Sequence, residues 1–190
     1  SEIPPYLQTI VAAAKRLSER RHGALIVIER DVRLEDFSST GVRLDADCSS
    51  ELLLQLFFPN TPLHDGAAIV HQERILAAGC VVPLSSGEGA GGPPEHRLGL
   101  RHRAALGISE VSDAVAVVVS EETGIISVAH NGRMIRRLDP QRLQNILSAF
   151  TRSGSQRTIL SWRSWFHRPE AKPTRSAPAD GAADGERRAG

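Results

Sequence analysis

The 190-residue chain has only two cysteines, Cys48 and Cys80. That is too few for a disulfide-built scaffold and points to a reducing compartment. Neither lies in a Cys-x-x-Cys pair or a Cys/His cluster, which argues against a thiolate zinc site. Long apolar runs are missing as well. The longest stretches free of Asp, Glu, Lys and Arg are Leu52 to His64 and Ile75 to Gly87. Both fall short of the roughly 18 apolar residues a membrane span needs, and both contain proline. Ser1 to Arg16 lacks the basic start, apolar run and cleavage site of a signal peptide. There is no initiator methionine, so the expectation is a processed protein or a piece of a longer one. Lysine is almost absent: Lys15 and Lys172 stand among 23 basic residues. No Walker A, G-x-S-x-G or H-E-x-x-H motif occurs, which argues against a P-loop, a serine-hydrolase elbow and a zincin helix.

What is present fits one domain with a tail. Residues 1–150 carry 15 Lys/Arg and 18 Asp/Glu, a balance of −3, while residues 151–190 carry 8 and 4, a balance of +4. The tail reads as a solvated, largely disordered extension, with contact to an anionic surface as the alternative.

Periodicity orders the rest. Pro5 to Arg21 places Leu7, Ile10, Val11, Ala14 and Leu17 at helical spacing, with Gly23 positioned to end the helix. Ala24 to Glu29 reads as a buried strand, and Asp31 to Asp47 as irregular. Ser49 to Phe58 follows plausible N-caps and stops at Pro59, giving a second helix. Ala67 to His71 and Ile75 to Pro83 form a hairpin, and Ser85 to Pro94 a Gly/Pro-rich loop. His96 to Ser109 reads as a helix. Ala114 to Ser120, Ile125 to His130 and Arg133 to Leu138 make a three-stranded meander with Asn131-Gly132 at one turn. Asp139-Pro140 opens a last helix through Phe150. The sum is a mixed α/β domain with one central sheet flanked by helices.

Three polar islands interrupt the apolar pattern. Leu63-His64-Asp65-Gly66-Ala67 puts an acid at the mouth of a strand, where Asp65 suits a divalent cation or a proton from a hydroxyl; an Asx-turn is the plainer reading. Arg101-His102-Arg103 sits near a helix N-terminus, where basic side chains and free N–H groups make a phosphate cradle. The i, i+2 spacing sends the two arginines to different sides, so they grip different phosphates or one is structural. Ser120-Glu121-Glu122-Thr123-Gly124 is either a charged hairpin turn or a source of a metal-binding or base-contacting carboxylate. Acid, metal and phosphate-gripping groups together suit phosphoryl or nucleotidyl transfer.

These segments, with Asp45-Ala46-Asp47 and Ser49-Ser50-Glu51-Leu52 upstream and Arg101 to Val111 as one block, resemble the diadenylate cyclase (DAC) domain from about Ala12 to Phe150. The order DGA, RHR, VSEET carries the likeness, and the nearest subtype is the membrane-anchored cyclase. The resemblance implies a nucleotidyltransferase that joins two ATP into cyclic di-AMP and releases two pyrophosphates, acting as a homodimer of facing domains. By position, Asp65, Arg101, His102 and Arg103 fall on catalytic motifs. Gly66, Ala67, Val81, Val82, Leu100, Ser120 and Glu121 fall on the ATP site, and His64, Asp65 and Glu122 near a divalent metal (Mn²⁺, Mg²⁺ or Co²⁺). It further implies residues 1–23 as a linker helix, 24–150 as the catalytic domain and 151–190 as an extension. The domain would be cytoplasmic and anchored to the bacterial membrane by helices upstream. A YbbR-domain protein and phosphoglucosamine mutase regulate that subtype, and no nucleic-acid partner is expected.

The sequence departs from the family's pattern in three places. Val81 and Val82 stand where relatives often stack an aromatic on adenine. Leu100 replaces a threonine whose hydroxyl helps hold phosphate, and the loop from Gly87 to Pro94 is longer. Leu100 keeps alive an alternative: a module that senses ATP or cyclic di-AMP without turnover. Intact Asp65 and Arg101-His102-Arg103 speak for the enzyme.

Overall fold

The computed structural model describes residues 3–86 and 98–152. The tail with Trp162 and Trp165, and most of the Gly/Pro-rich loop, lie outside the described residues. Element order is α1 (Pro5–Arg20), β1 (Ala24–Ile28), α2 (Glu35–Ser38), β2 (Val42–Asp47), α3 (Ser50–Leu56), β3 (Ala67–His71), β4 (Arg74–Cys80), α4 (Leu100–Val111), β5 (Val115–Val119), β6 (Ile126–His130), β7 (Arg133–Leu138) and α5 (Pro140–Arg152). One seven-stranded sheet runs β2-β4-β3-β1-β5-β6-β7. Only β1 and β3 pair in parallel; the other neighbours are antiparallel. The central mixed sheet is as expected.

The centre of the sheet is covered on both faces, which is why β1 and β5 are apolar at every position. Ala24, Ile26, Ile28, Val115, Val117 and Val119 join a core with α1, α3 and α5. Leu25, Val27, Ala116 and Val118 point the other way, into a core with α4. The periodic residues of α1 are all buried, so this helix is part of the core. Ser49 caps α3 by accepting from the Leu52 amide, and Asp139 caps α5 by accepting from the Arg142 amide. Asn131 and Gly132 both take positive φ, 50° and 70°, as a tight β6–β7 turn demands.

Four expectations are corrected. Asp31 to Asp47 is not irregular: it holds α2 and the edge strand β2. Val42, Leu44 and Ala46 do alternate with Arg43, Asp45 and Asp47, but an edge strand that buries none of them fully carries a weak signal. The strand β4 stops at Cys80, short of Pro83. Helix α4 starts at Leu100, four residues later than expected, capped by the backbone of Gly99 alone. Finally, α1 is ended by Arg21 in the left-handed region (φ 52°), whose amide bonds back to Leu17 and Ser18. Gly23 has a different task.

Candidate active site

The site gathers at one end of the central strands. The turn before β3, the start of α4 and the turn after β5 meet there. Gly66 takes φ +98°, and a Cβ on it would stand 2.7 Å from the Cys80 carbonyl oxygen. Only glycine lets the chain turn from Asp65 into β3 against β4. Asp65 is thereby left 84% exposed at the rim.

Arg101 links the three islands. Its Nη1 lies 3.1 Å from a Glu121 carboxylate oxygen, and its Nη2 lies 3.8 Å from Asp65 Oδ1. Nη2 also donates to the His64 carbonyl at 3.5 Å. The side chain is only 18% exposed, and its Nε–H is buried with no hydrogen-bond partner. The guanidinium passes directly over Gly23: a Cβ there would meet Arg101 Nη1 at 2.6 Å and Cζ at 2.7 Å. Gly23 is thus a site residue that its position after a helix disguised as a stop signal.

Arg103 faces elsewhere. Its Nε donates to the Ser85 carbonyl at 3.2 Å. The two arginines point apart, as their spacing predicts. His102, between them, is 6% exposed with Nε2 unpartnered. Burial, then the positive charges of Arg136 and Arg101, push its pKa down to about 4. It is neutral at physiological pH and adds no positive charge to the cradle.

His64 has the form of a ligand held ready. Its Nδ1 bonds the Thr61 carbonyl at 2.6 Å, which fixes the ring and leaves Nε2 3.4 Å from Asp65 Oδ1. Glu121, not Glu122, makes the ion pair with Arg101. Among the described residues no group of three His, Cys, Asp or Glu is gathered as a cation site. A metal would therefore find two adjoining donors, His64 and Asp65, and the chemistry of that pair fits a divalent cation completed by phosphate oxygens. The Ser120 hydroxyl accepts from the Thr123 amide and so shapes the turn. Leu100 opens α4 and is 69% exposed, and Val81 (69%) is likewise exposed, whereas Val82 is buried at 7%. Ala67, the first residue of β3, is buried.

Comparison with known proteins gives one family match: the model of the DAC family, described as DisA bacterial checkpoint controller nucleotide-binding, matches residues 11–134. A cyclic di-AMP synthase, CdaA of Bacillus subtilis, is 44% identical over 85% of this chain and 57% of its own length. A diadenylate cyclase of Listeria monocytogenes is 44% identical over 74% of this chain and 50% of its own. The chain thus spans about half the length of these curated relatives. Among solved structures, DacA from Staphylococcus aureus, a double mutant, aligns with a TM-score of 0.69 at 44% identity, covering 75% of this chain and 92% of that one. A protein from Bacillus cereus described as a hypothetical membrane-spanning protein aligns with a TM-score of 0.66 at 44% identity, covering 72% and 65%. In this chain, no helix among the described residues is long and apolar enough to cross a membrane.

Proposed function

This chain belongs to the DAC family of nucleotide-binding domains, and from that premise we propose that it is the catalytic domain of a diadenylate cyclase. It would condense two ATP into cyclic di-AMP and two pyrophosphates. The observation that carries the proposal is Arg101 beside both Asp65 and Glu121, which ties three sequence-distant polar islands into one acid–base and anion-binding site. Arg101 and the free amides at the start of α4 hold phosphate and stabilise the charge that develops on it. Asp65 accepts the proton of a ribose 3′-hydroxyl as that oxygen bonds to the α-phosphorus of the second ATP and the bond to pyrophosphate breaks. His64 and Asp65 would hold a divalent cation, which supplies charge neutralisation on the triphosphate, while among the described residues nothing brings Glu122 to that pair. An aspartate so exposed reaches a nucleotide bound elsewhere, which supports a reaction between two facing copies of the domain.

The test is product identification by mass spectrometry after incubation with ATP and Mn²⁺, beside Asp65→Asn. Cyclic di-AMP from the parent and none from the variant is the expected result. Leucine rather than threonine at position 100 favours a second reading, a nucleotide sensor; ATP binding without product from the parent would support that reading, or a chain that does not dimerise, and product from Leu100→Thr separates the two.

A further inference from the structure

A second cavity opens away from this site. It has a volume of about 450 Å³, and none of His64, Asp65, Arg101 and Glu121 lines it. A space of that size suits a small molecule. Its walls come from the loop after β1, from α2, from the edge strand β2 and from β4. Glu29 lines it and follows β1, whereas Gly23 precedes that strand, so the two lie at opposite ends of β1. One wall is built around Glu29, whose side chain is 3% exposed. Its Oε1 accepts from Arg33 Nη1 at 2.7 Å and lies 3.1 Å from His71 Nδ1, while Oε2 accepts from the Leu34 amide at 2.8 Å. From the other side, Asp113 accepts from the Asp31 and Val32 amides at 3.0 and 3.1 Å. Both carboxylates hold the loop that carries Arg33 and leads into α2, so this wall is formed in advance of any ligand.

Two other charges on the cavity are not engaged in this way. Glu35 of α2 and Arg43 of β2 both line it, yet among the described residues neither has an ion-pair partner, and they do not meet each other. Asp45, also on the cavity, is held by Arg74 at 3.1 Å. Leu76 of β4, partly buried, adds an apolar surface. A lone anion drawn to Arg33 and Arg43 would meet the carboxylates of Glu35 and Asp45, and a lone cation would meet the two guanidiniums. A molecule with both charges escapes that conflict. Its carboxylate answers Arg43, its ammonium answers Glu35, and an apolar side chain covers Leu76. We propose that this cavity binds an α-amino acid with an aliphatic side chain, at a site separate from the one that holds Arg101 and independent of the reaction proposed there.

The test follows L-leucine on the whole, isotope-labelled chain by NMR, beside two molecules that each keep one of its charges, isocaproate and isopentylamine. Leucine should shift the amides around the cavity, those of Leu34, Ser38 and Arg43 among them, with a Kd of about 1 mM, and leave those of Asp65 and Arg101 still. Each single-charge molecule should bind at least about tenfold more weakly, the contribution of one charge-assisted contact. Glu35→Gln and Arg43→Gln, both at exposed positions where the fold tolerates the change, should each weaken leucine by about tenfold as well. The second variant reads the same pair of charges from its other side should the first fold poorly. No shift by about 10 mM leucine would overturn the proposal, as would shifts confined to residues away from the cavity. Isocaproate binding as tightly as leucine would make this a plain anion site, and unchanged leucine binding in both variants would remove Glu35 and Arg43 from it; either result overturns the proposal too. No readout here involves cyclic di-AMP, so this proposal and the cyclase reading fail separately.

Discussion

Gly23→Ala should separate activity from stability. The added methyl would lie 2.6 Å from Arg101 Nη1, 2.7 Å from Cζ and 3.0 Å from the Cβ of Glu121. Atoms in ordinary contact sit at about 3.5–4.0 Å, so the guanidinium must retreat by roughly 1 Å. It is the far end of a flexible side chain and can swing aside at little cost to the fold, and the Glu121 Cβ must give by a few tenths of an ångström. Gly23 is not among the residues with positive φ, so alanine is not strained there, and a stiffer unfolded chain returns about 0.4–1 kcal/mol. Stability should therefore change by less than about 1 kcal/mol. Function should not escape. The Arg101–Glu121 pair at 3.1 Å would break, and a misplacement of about 1 Å at a charged group costs on the order of 100-fold in rate. The assay is initial-rate cyclic di-AMP formation beside thermal unfolding of the same preparations. Full activity in Gly23→Ala would refute the placement of Arg101, as would an activity loss accounted for by unfolded protein.

Other outcomes follow from neighbouring features. His102 has its pKa lowered from 6.5 to about 4, so the unfolded chain takes up the proton first as pH falls. Its contribution is present in full above pH 6.5 and is lost between there and about pH 4, by up to about 3 kcal/mol. Urea titrations at pH 7 and 5 should show about 2 kcal/mol of that loss in the parent and a smaller loss in His102→Gln; equal losses in the two proteins would contradict it. Gly107→Ala drives a methyl into the Pro83 carbonyl and should destabilise by about 1–3 kcal/mol or more, read as a lowered Tm. Leu100→Thr puts a hydroxyl at the exposed start of α4 and should raise kcat/KM for ATP by about tenfold, the value of a hydrogen bond to a charged group. No change would mean phosphate passes that position by.

Most of the core was legible because its residues obey a single period. In α1, Leu7 to Leu17 recur at helical spacing, and β1 and β5 are runs of β-branched residues that only a doubly covered strand requires. The edge strand β2 was missed because its alternation is half charged and its apolar residues stay partly exposed. At the site, the motifs named Asp65, Arg101 and Glu121, yet no spacing rule joins residues 65, 101 and 121; the crossing of β3, α4 and β5 does that. Gly23 could not be read as a site residue, since its neighbour is Arg101, 78 positions on. The i, i+2 spacing does send Arg101 and Arg103 apart, but it does not say what each one meets. A helix N-terminus announces two arginines, and only the fold shows one turned to Glu121 and the other to the Ser85 carbonyl.

The most direct test is the rate of cyclic di-AMP formation per chain, from ATP and Mn²⁺, across a wide range of protein concentration. On the proposed mechanism two facing domains each bring one nucleotide, so the rate per chain should climb with concentration until dimers saturate. Cyclic di-AMP rising in that way would carry the account. A rate per chain independent of concentration in monomeric protein would contradict the facing-copy mechanism, and absence of cyclic di-AMP at every concentration would contradict the cyclase itself.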